Sequence, residues 1–135
     1  MFDTKFVIIV REDLAAWQKL NVTAFLATGV AAAKPEIIGE GYRDAAGNVY
    51  HPMSVQPIIV LSADSETLCK ARKRALDRQV PASLYIEEMF TTGHDSANRE
   101  VFSRFSPADV RIVGIAFHTD RKVADRISKG AKMHA

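Results

Sequence analysis

This sequence of 135 residues contains a single cysteine, Cys69, so no disulfide can form within the chain. Cys69 lies inside a predicted helix, whereas activated thiolates sit at helix N-termini or beside a base. The four histidines have no pair at the spacing that places two imidazoles on one helical face. They are His51, His94, His118 and His134. We therefore predict no metal site and no reactive thiol.

Long apolar runs are also missing. The longest, such as Phe6–Val10 and Gly29–Ala33, fall far short of the ~20 residues needed to cross a bilayer. Near the start, Asp3 stands where a secretion signal has a basic region followed by a long apolar stretch. These absences predict a cytoplasmic protein with no membrane partner.

Neither sign of charge dominates the composition. The 18 basic and 16 acidic side chains give a net charge of +2, which does not by itself predict a nucleic-acid or membrane partner. Hydrophobic residues make up 47% of the chain and charged residues 25%, as in globular proteins. Because one domain has roughly 150 residues, we predict that residues 1–135 form a single domain.

The predicted elements alternate between strands and helices. Apolar, β-branched runs typical of buried strands cover Phe6–Val10, Gln56–Leu61, Ala82–Ile86 and Val110–Phe117. Helices are predicted from an N-cap at Asp13 to Lys34-Pro35, over Ser65–Gln79 after the N-cap Asp64, and from Thr119 or Asp120 to near Gly130. A hairpin is predicted from Glu36–Arg43 and Asn48–Pro52 around the turn Asp44–Gly47, and a polar loop with a short helix over Met89–Phe105. This order predicts an α/β fold, a three-layer α/β/α sandwich with a mixed central sheet, one antiparallel strand and a mostly buried first helix.

Polar clusters follow three of the predicted strands. They are Arg11 to Asp13, Ser62 with Asp64, and Glu87 to His94. Ligands in open α/β sheets bind outside the carboxyl ends of parallel strands, so these side chains are predicted to form one rim. With Lys19 on the first helix, such a rim has what acyl or ester hydrolysis requires, a carbonyl-polarising cation and a carboxylate that activates water. The alternative is that these charges only solvate chain reversals.

Two further patterns bear on partners and cofactors. Five cations on one helix favour either phosphate contacts or a solvated face; they are Lys70, Arg72, Lys73, Arg74 and Arg78. No aromatic residues are interleaved with them for base stacking. Gly39 and Gly41 have no third glycine and no helix start after them, so no dinucleotide cofactor is predicted.

Several segments together resemble the peptidyl-tRNA hydrolase type II superfamily. They are Phe6-Val-Ile-Ile-Val-Arg-Glu-Asp-Leu14, Gln56-Pro-Ile-Ile-Val-Leu61, Pro81-Ala-Ser-Leu-Tyr-Ile86 and Val113-Gly-Ile-Ala116, with Lys19 in the first helix. The chain looks most like an uncharacterised bacterial branch of that superfamily, a domain-of-unknown-function family with Trp17-Gln-Lys-Leu-Asn-Val-Thr23 in place of the lysine-glycine-lysine segment. The resemblance spans most of the chain and implies a peptidyl-tRNA hydrolase II-like sandwich that forms a homodimer.

The resemblance also implies site residues. Lys19 matches the first motif lysine and Asn21 falls at the second, while Glu88 falls at the motif aspartate and Thr92 at the threonine. The chain departs from the pattern where the hydrolases have a glutamine and a histidine. Phe25 and Thr28 fall at those two positions.

Two classes of function follow. In the first, the protein hydrolyses an ester or acyl-linked substrate: Lys19 stabilises the oxyanion, Glu88 orients or deprotonates water, and Thr92 positions it. The predicted substrate-binding residues are Arg11, Asp13, Phe25, Thr28, Thr91 and His94. In the second, the protein is a noncatalytic module that binds a small molecule through apolar residues such as Trp17 and Phe25, or tRNA through the Lys70–Arg78 face.

Overall fold

The computed structural model describes residues 2–135, and their strands form one central sheet and a separate hairpin. The strands are β1 (Thr4–Arg11), β2 (Tyr42–Arg43), β3 (Val49–Tyr50), β4 (Ile58–Ala63), β5 (Ser83–Ile86), β6 (Ile112–Asp120) and β7 (Lys132–Met133). The central sheet has the order β5-β6-β1-β4-β7, and β2 pairs only with β3. This sheet is mixed, as predicted.

The directions of the strands place the carboxyl ends of three of them at the same end of the sheet. β1 pairs in parallel with β4, and β6 runs antiparallel to both β1 and β5. β1, β4 and β5 therefore point the same way. β7 is antiparallel to β4, so two strands oppose β1 and the prediction of one antiparallel strand is wrong. The two-residue β7 follows Gly130, where no strand was predicted.

Four α-helices accompany the sheet. They are α1 (Ala16–Ala33), α2 (Ser65–Asp77), α3 (Asp95–Ser103) and α4 (Arg121–Ile127), with short 3₁₀ helices at Pro35–Ile37 and Glu87–Thr91. The predicted N-cap Asp64 accepts a hydrogen bond from the Thr67 amide at 2.8 Å. Asp120 likewise accepts bonds from the amides of Lys122 and Val123. The predicted starts of α2 and α4 are confirmed.

Helices pack on both faces of the sheet. On one face Val22, Leu26 and Val30 of α1 meet apolar side chains of β1, β5 and β6. On the other face the buried side chains of α2 and α4, such as Leu68 and Ile127, complete a second core. β1 lies between the two cores, and its Phe6–Val10 segment is buried throughout, which explains why that run has no polar residue.

α1 differs from its prediction in two ways. Its N-cap is Ala15, whose amide donates to the side chain of Gln18, so the predicted N-cap at Asp13 is wrong. Asp13 instead pairs with Arg11. The helix is also less buried than predicted, because only Val22, Leu26 and Val30 are fully covered. Trp17, Leu20 and Phe25 are all more than half exposed.

The hairpin of β2 and β3 stands out from the body as a short arm. Its turn is held by Asp44, which accepts hydrogen bonds from the amides of Ala46 and Asn48, the Asn48 side chain and the Tyr50 hydroxyl. These bonds, chiefly those from Asn48, lower the pKa of Asp44 to about 2. The predicted hairpin is confirmed, with shorter strands than expected because Glu36 belongs to a 3₁₀ helix.

Within residues 2–135, no helix combines the length and hydropathy that a membrane crossing requires.

Candidate ligand groove

An open groove of about 640 Å³ lies beside the outer strand β5. Its walls come from three parts of the chain: α1 from Trp17 to Gly29, the strand β5, and the segment from Met89 to Ser103. This volume is in the range of protein sites that take small organic ligands. The groove is larger than the concavity at the ends of β1 and β4.

A row of four aromatic rings crosses the groove. Trp17 contacts Phe90 edge to face with 5.9 Å between ring centroids, Phe90 lies 5.2 Å from Tyr85, and Tyr85 lies 6.0 Å from Phe25. Such tilted and edge-to-face pairs stabilise one another beyond simple burial. Tyr85 is buried, and burial raises the pKa of its hydroxyl, which therefore stays protonated as a hydrogen-bond donor.

The helical geometry of α1 explains why this helix contributes exposed aromatic residues to the groove. Val22, Leu26 and Val30 repeat every four residues and occupy the stripe that faces the sheet. Phe25 lies one residue before that stripe, so it points to the border of the helix and is 53% exposed. Trp17 is 61% exposed for the same reason. The groove is therefore lined by apolar surface that the core does not use.

Polar side chains cluster at the α3 end of the groove. The Thr92 hydroxyl lies within hydrogen-bond distance of the Met89 carbonyl at 2.9 Å and of the Asn98 side-chain oxygen. Its single proton can be donated to only one of them. Thr92 and Asn98 are partly buried, so this pair forms a fixed polar wall.

His94 has a defined tautomer in the groove wall. Its Nδ1 accepts the Ala97 amide at 3.2 Å as the N-cap of α3, and lies 2.8 Å from the Ser96 hydroxyl. Because Nδ1 accepts a backbone N–H, neutral His94 carries its proton on Nε2. The ring therefore offers a donor to its surroundings, and its Nδ1 lone pair is already engaged.

Part of the predicted polar rim, at the carboxyl ends of β1 and β5, forms a chain of ion pairs. Arg11 contacts Asp13 at 2.5 Å and Glu87 at 3.6 Å. Arg111, at the start of β6, contacts Glu87 at 3.5 Å and Glu88 at 2.6 Å. The bond from Arg111 lowers the pKa of Glu88, which therefore stays ionised, while its other oxygen, Oε1, is buried without a hydrogen-bond partner among the described residues.

The candidate residues thus separate into two neighbouring groups. Phe25, Thr28, Thr92 and His94 line the groove. Arg11, Asp13 and Glu88 belong to the rim of ion pairs. Lys19 and Thr91 line no part of the groove, and within residues 2–135 Lys19 forms no ion pair, with Glu88 or with another carboxylate.

A second, smaller concavity of about 350 Å³ joins the ends of β1 and β4. It is lined by Arg11, Glu12, Asp13, Asp64, Ser65 and Glu66. In the described part of the chain, no group of three or more histidine, cysteine or acidic side chains has an arrangement that could hold a metal ion.

The cationic face of α2 is largely occupied by contacts within the protein. Arg72 donates to the Pro107 carbonyl at 2.9 Å, and Arg74 donates to the Lys129 carbonyl at 2.9 Å. Lys70 lies 3.3 Å from Glu66. Leu76 of the same helix is 61% exposed, because it lies about 100° around the helix from the buried Ala75.

Several groove residues had not been identified from the sequence. Tyr85 and Phe90 flank the predicted end of β5, while Asn98 and Phe102 lie on α3. The signal was present in Met89-Phe90, two apolar residues directly after the polar pair that ends a buried strand. The prediction of a polar loop over Met89–Phe105 does not connect this segment with Trp17 and Phe25.

The structure thus defines a class of protein with a mixed α/β fold and an aromatic groove beside the outer strand β5. Residues 4–135 match the model of the family described as protein of unknown function (DUF2000), and the chain belongs to that family. The expected membership of a domain-of-unknown-function family is confirmed. A relationship to the peptidyl-tRNA hydrolases stays a prediction.

Among solved structures, the chain is similar to the protein of unknown function Atu0240 from Agrobacterium tumefaciens strain C58. The two share 61% sequence identity over 100% of each chain, with a TM-score of 0.98. No curated protein matches the chain.

Proposed function

We propose that the protein is a binding protein whose groove takes a ligand with an apolar body. The observation that carries this proposal is the row formed by Trp17, Phe90, Tyr85 and Phe25, which is in contact throughout and whose two end residues, Trp17 and Phe25, are more than half exposed. Exposed, contiguous aromatic surface in a concavity is typical of ligand sites. Donors at the groove, the Tyr85 hydroxyl and the His94 Nε2–H, would orient an accepting group on the ligand.

The test uses Trp17, the only tryptophan of the chain, as reporter. Titration with 1-anilinonaphthalene-8-sulfonate, an aromatic probe with an anionic group, should give saturable binding with energy transfer from Trp17. Phe25→Ala should weaken the affinity for the probe roughly tenfold. About half of the Phe25 ring is exposed, so the probe would cover that apolar area, and the variant loses this contact. Phe25 is more than half exposed, so the variant is expected to fold.

Leu20→Ala is the matched control. Leu20 lies on the same helix, is 72% exposed and does not line the groove. Its substitution should leave the affinity of the probe unchanged. Equal loss in both variants, or no loss in either, would contradict the assignment of the groove as the binding site.

A second candidate function is hydrolysis of an ester or acyl-linked substrate by Lys19, Glu88 and Thr92. The ionised Glu88 carboxylate, 2.6 Å from Arg111 on the rim of ion pairs, favours this candidate because a carboxylate can orient or deprotonate water. The Arg111 contact keeps that carboxylate charged. The lysine would have to reach the substrate from outside the groove.

This candidate predicts that the protein releases the peptidyl group from N-blocked aminoacyl-tRNA. Release should be lost in Lys19→Ala and in Glu88→Gln, each shown to be folded, and retained in Leu20→Ala. Release no faster than in buffer would eliminate this substrate.

Binding of tRNA without turnover is a weaker alternative, because Arg72 and Arg74 are engaged with backbone carbonyls. The homodimer that the family resemblance implies is also a proposal.

A further inference from the structure

The outer edge of β5 has unpaired backbone groups. β5 is the last strand on its side of the sheet and pairs with β6 through the residues Ser83 to Ile86. In an antiparallel pair, every second residue directs its N–H and C=O away from the partner strand. Among residues 2–135, Ser83 to Tyr85 form no backbone hydrogen bond in a turn, loop or cap, whereas Ile86 is the N-cap of the 3₁₀ helix Glu87–Thr91.

The groove runs around this free edge. Tyr85 belongs to the core on the α1 side of the sheet, and Leu84 packs against the core on the opposite side. Both residues line the groove. A concavity that passes the outer edge of the strand would meet residues of both faces in this way.

No charged side chain and no proline of β5 protects this edge, and the one irregularity in its pairing with β6 is a register shift between Tyr85 and Ile86. Exposed edges are usually blocked by charged residues, proline or a very short strand. The four residues Ser83-Leu84-Tyr85-Ile86 carry neither charge nor proline. The opposite outer strand, β7, shows the usual protection, since it is two residues long and contains Lys132.

α1 brings the aromatic row beside the same edge. Its Gly29 lies so close to β5 that an added Cβ would be 2.2 Å from the Ser83 hydroxyl oxygen. Phe25, one turn earlier, contacts Tyr85 of β5. A ligand bound along β5 would therefore meet apolar rings and unpaired backbone groups together.

We propose that the groove binds an extended peptide, which adds to the sheet as a strand beside β5. This inference rests on the proposed binding function and names its ligand class. Backbone hydrogen bonds to β5 would provide affinity, and alternate apolar side chains of the peptide would lie on Phe25, Tyr85 and Phe90. The four residues of β5 span about 13 Å, so about four peptide residues would pair.

The experiment measures binding of a terminally blocked peptide of alternating apolar residues and threonines, with a lysine at each end, by the change in Trp17 fluorescence. A series of such peptides carries one N-methyl group each, moved along the chain one amide at a time. N-methylation removes a backbone donor and leaves the side chains intact. We expect every second position to lose at least about tenfold in affinity, since each such amide faces β5, and the positions between them to bind as the parent peptide does.

Protein variants complete the design. Phe25→Ala should weaken the parent peptide, and Leu20→Ala should not. A methylation profile without alternation would overturn strand addition. If no peptide binds while 1-anilinonaphthalene-8-sulfonate still binds at Phe25, the peptide inference fails and the proposed function stands. If neither binds, both fail.

Discussion

His118 on β6 has an environment that favours its neutral form. Its Nε2 lies 3.0 Å from the Oε1 atom of buried Gln56, and its Nδ1 is buried without a partner among the described residues. Burial is the largest cause that lowers the pKa of His118 below the ordinary value of 6.5. Lys34 lowers this pKa further, and Glu36 acts in the opposite direction.

We predict that His118 makes the folded state sensitive to mild acid. Above pH 6.5 the ring is neutral in the folded and the unfolded states, so its contribution to stability is complete. As the pH falls below this value, the unfolded chain binds the proton first and the free energy of unfolding decreases. The decrease continues until the lower pKa of the folded state is reached.

Urea unfolding on both sides of pH 6.5 measures this effect. His118→Gln keeps an amide that can bond to Gln56 and cannot titrate, so its stability should fall less with pH than that of the native protein. The other three histidines are exposed and present in both proteins. Parallel pH profiles of the two proteins would contradict the prediction.

Sequence patterns predicted the positions of individual polar residues better than their partners. Asp64 and Asp120 act as the expected N-caps, because capping depends on amides within three residues. Glu88 lies on the expected rim, yet its partner Arg111 comes from 23 positions later in the chain. That pairing depends on β6 lying beside β5, which no local pattern contains.

At the scale of elements, the contact between α1 and β6 depends on a glycine. A Cβ added at Gly114 would lie 2.5 Å from Val22 Cγ1 and 2.8 Å from Leu26 Cδ1. We predict that Gly114→Ala lowers the free energy of unfolding by about 1–3 kcal/mol, the usual cost of overpacking a filled core. Chemical denaturation measures the loss.

The companion variant is Gly114→Ala with Val22→Ala, which removes the nearest obstructing methyl groups. Neighbouring substitutions that share one cavity are not additive. The double variant should therefore be less destabilised than the sum of the two single variants. Strict additivity would mean that Val22 is not what the added methyl group meets.

The arm of β2 and β3 should respond to substitution independently of the body. Asp44 holds its turn through bonds within the arm, and the residues from Glu40 to Met53 are all exposed. We predict that Asp44→Ala accelerates tryptic cleavage after Arg43, because the turn loses its acceptor, while the urea midpoint of the whole protein is unchanged. Mass spectrometry identifies the cleaved bond.

Asp44→Asn is the matched control, since its side-chain oxygen can still accept the amides of Ala46 and Asn48. It should be cleaved more slowly than Asp44→Ala. Loss of global stability in Asp44→Ala would show that the arm packs on the body.

The order of the main elements was predictable, while the exposed side of α1 was not. β1 and α2 follow from burial and amphipathic patterns that are complete within each segment. In α1 the apolar residues continue around the helix, so the sequence indicated burial on most sides. The structure uses one stripe for the core and leaves Trp17 and Phe25 to the groove, a division that depends on where α3 and β5 lie.

At the scale of the whole molecule, the groove could not be found from the sequence alone. Its aromatic row joins residues separated by up to 73 positions, from Trp17 to Phe90. The row joins α1 with the segment from Tyr85 to Phe90, and these two segments meet beside β5, the outer strand of the sheet. The resemblance to a known superfamily pointed to Thr92 and Phe25, two residues that line the groove, and to Lys19, which does not.

The exposed apolar side chains of the arm predict that the protein self-associates. The arm carries apolar side chains that are each at least half exposed: Tyr42, Val49, Tyr50, Met53 and Val55. A two-stranded hairpin is only marginally stable in water, and contiguous exposed apolar surface is typical of protein interfaces. A second copy of the chain that packs against the arm would cover this surface.

We therefore predict that the native protein sediments as a dimer whose proportion falls on dilution. Val49→Glu should shift it toward the monomer, because pairing would bury an uncompensated charge in an apolar contact. Ala108→Glu adds the same charge in the exposed loop before β6, near the carboxyl end of β1, whereas the arm precedes the opposite end of β4, and it should leave the dimer intact. A native protein that stays monomeric at every concentration would contradict the prediction. A dimer that Val49→Glu does not weaken would place the interface elsewhere, and the exposed apolar face of α1 would then be the surface to substitute next.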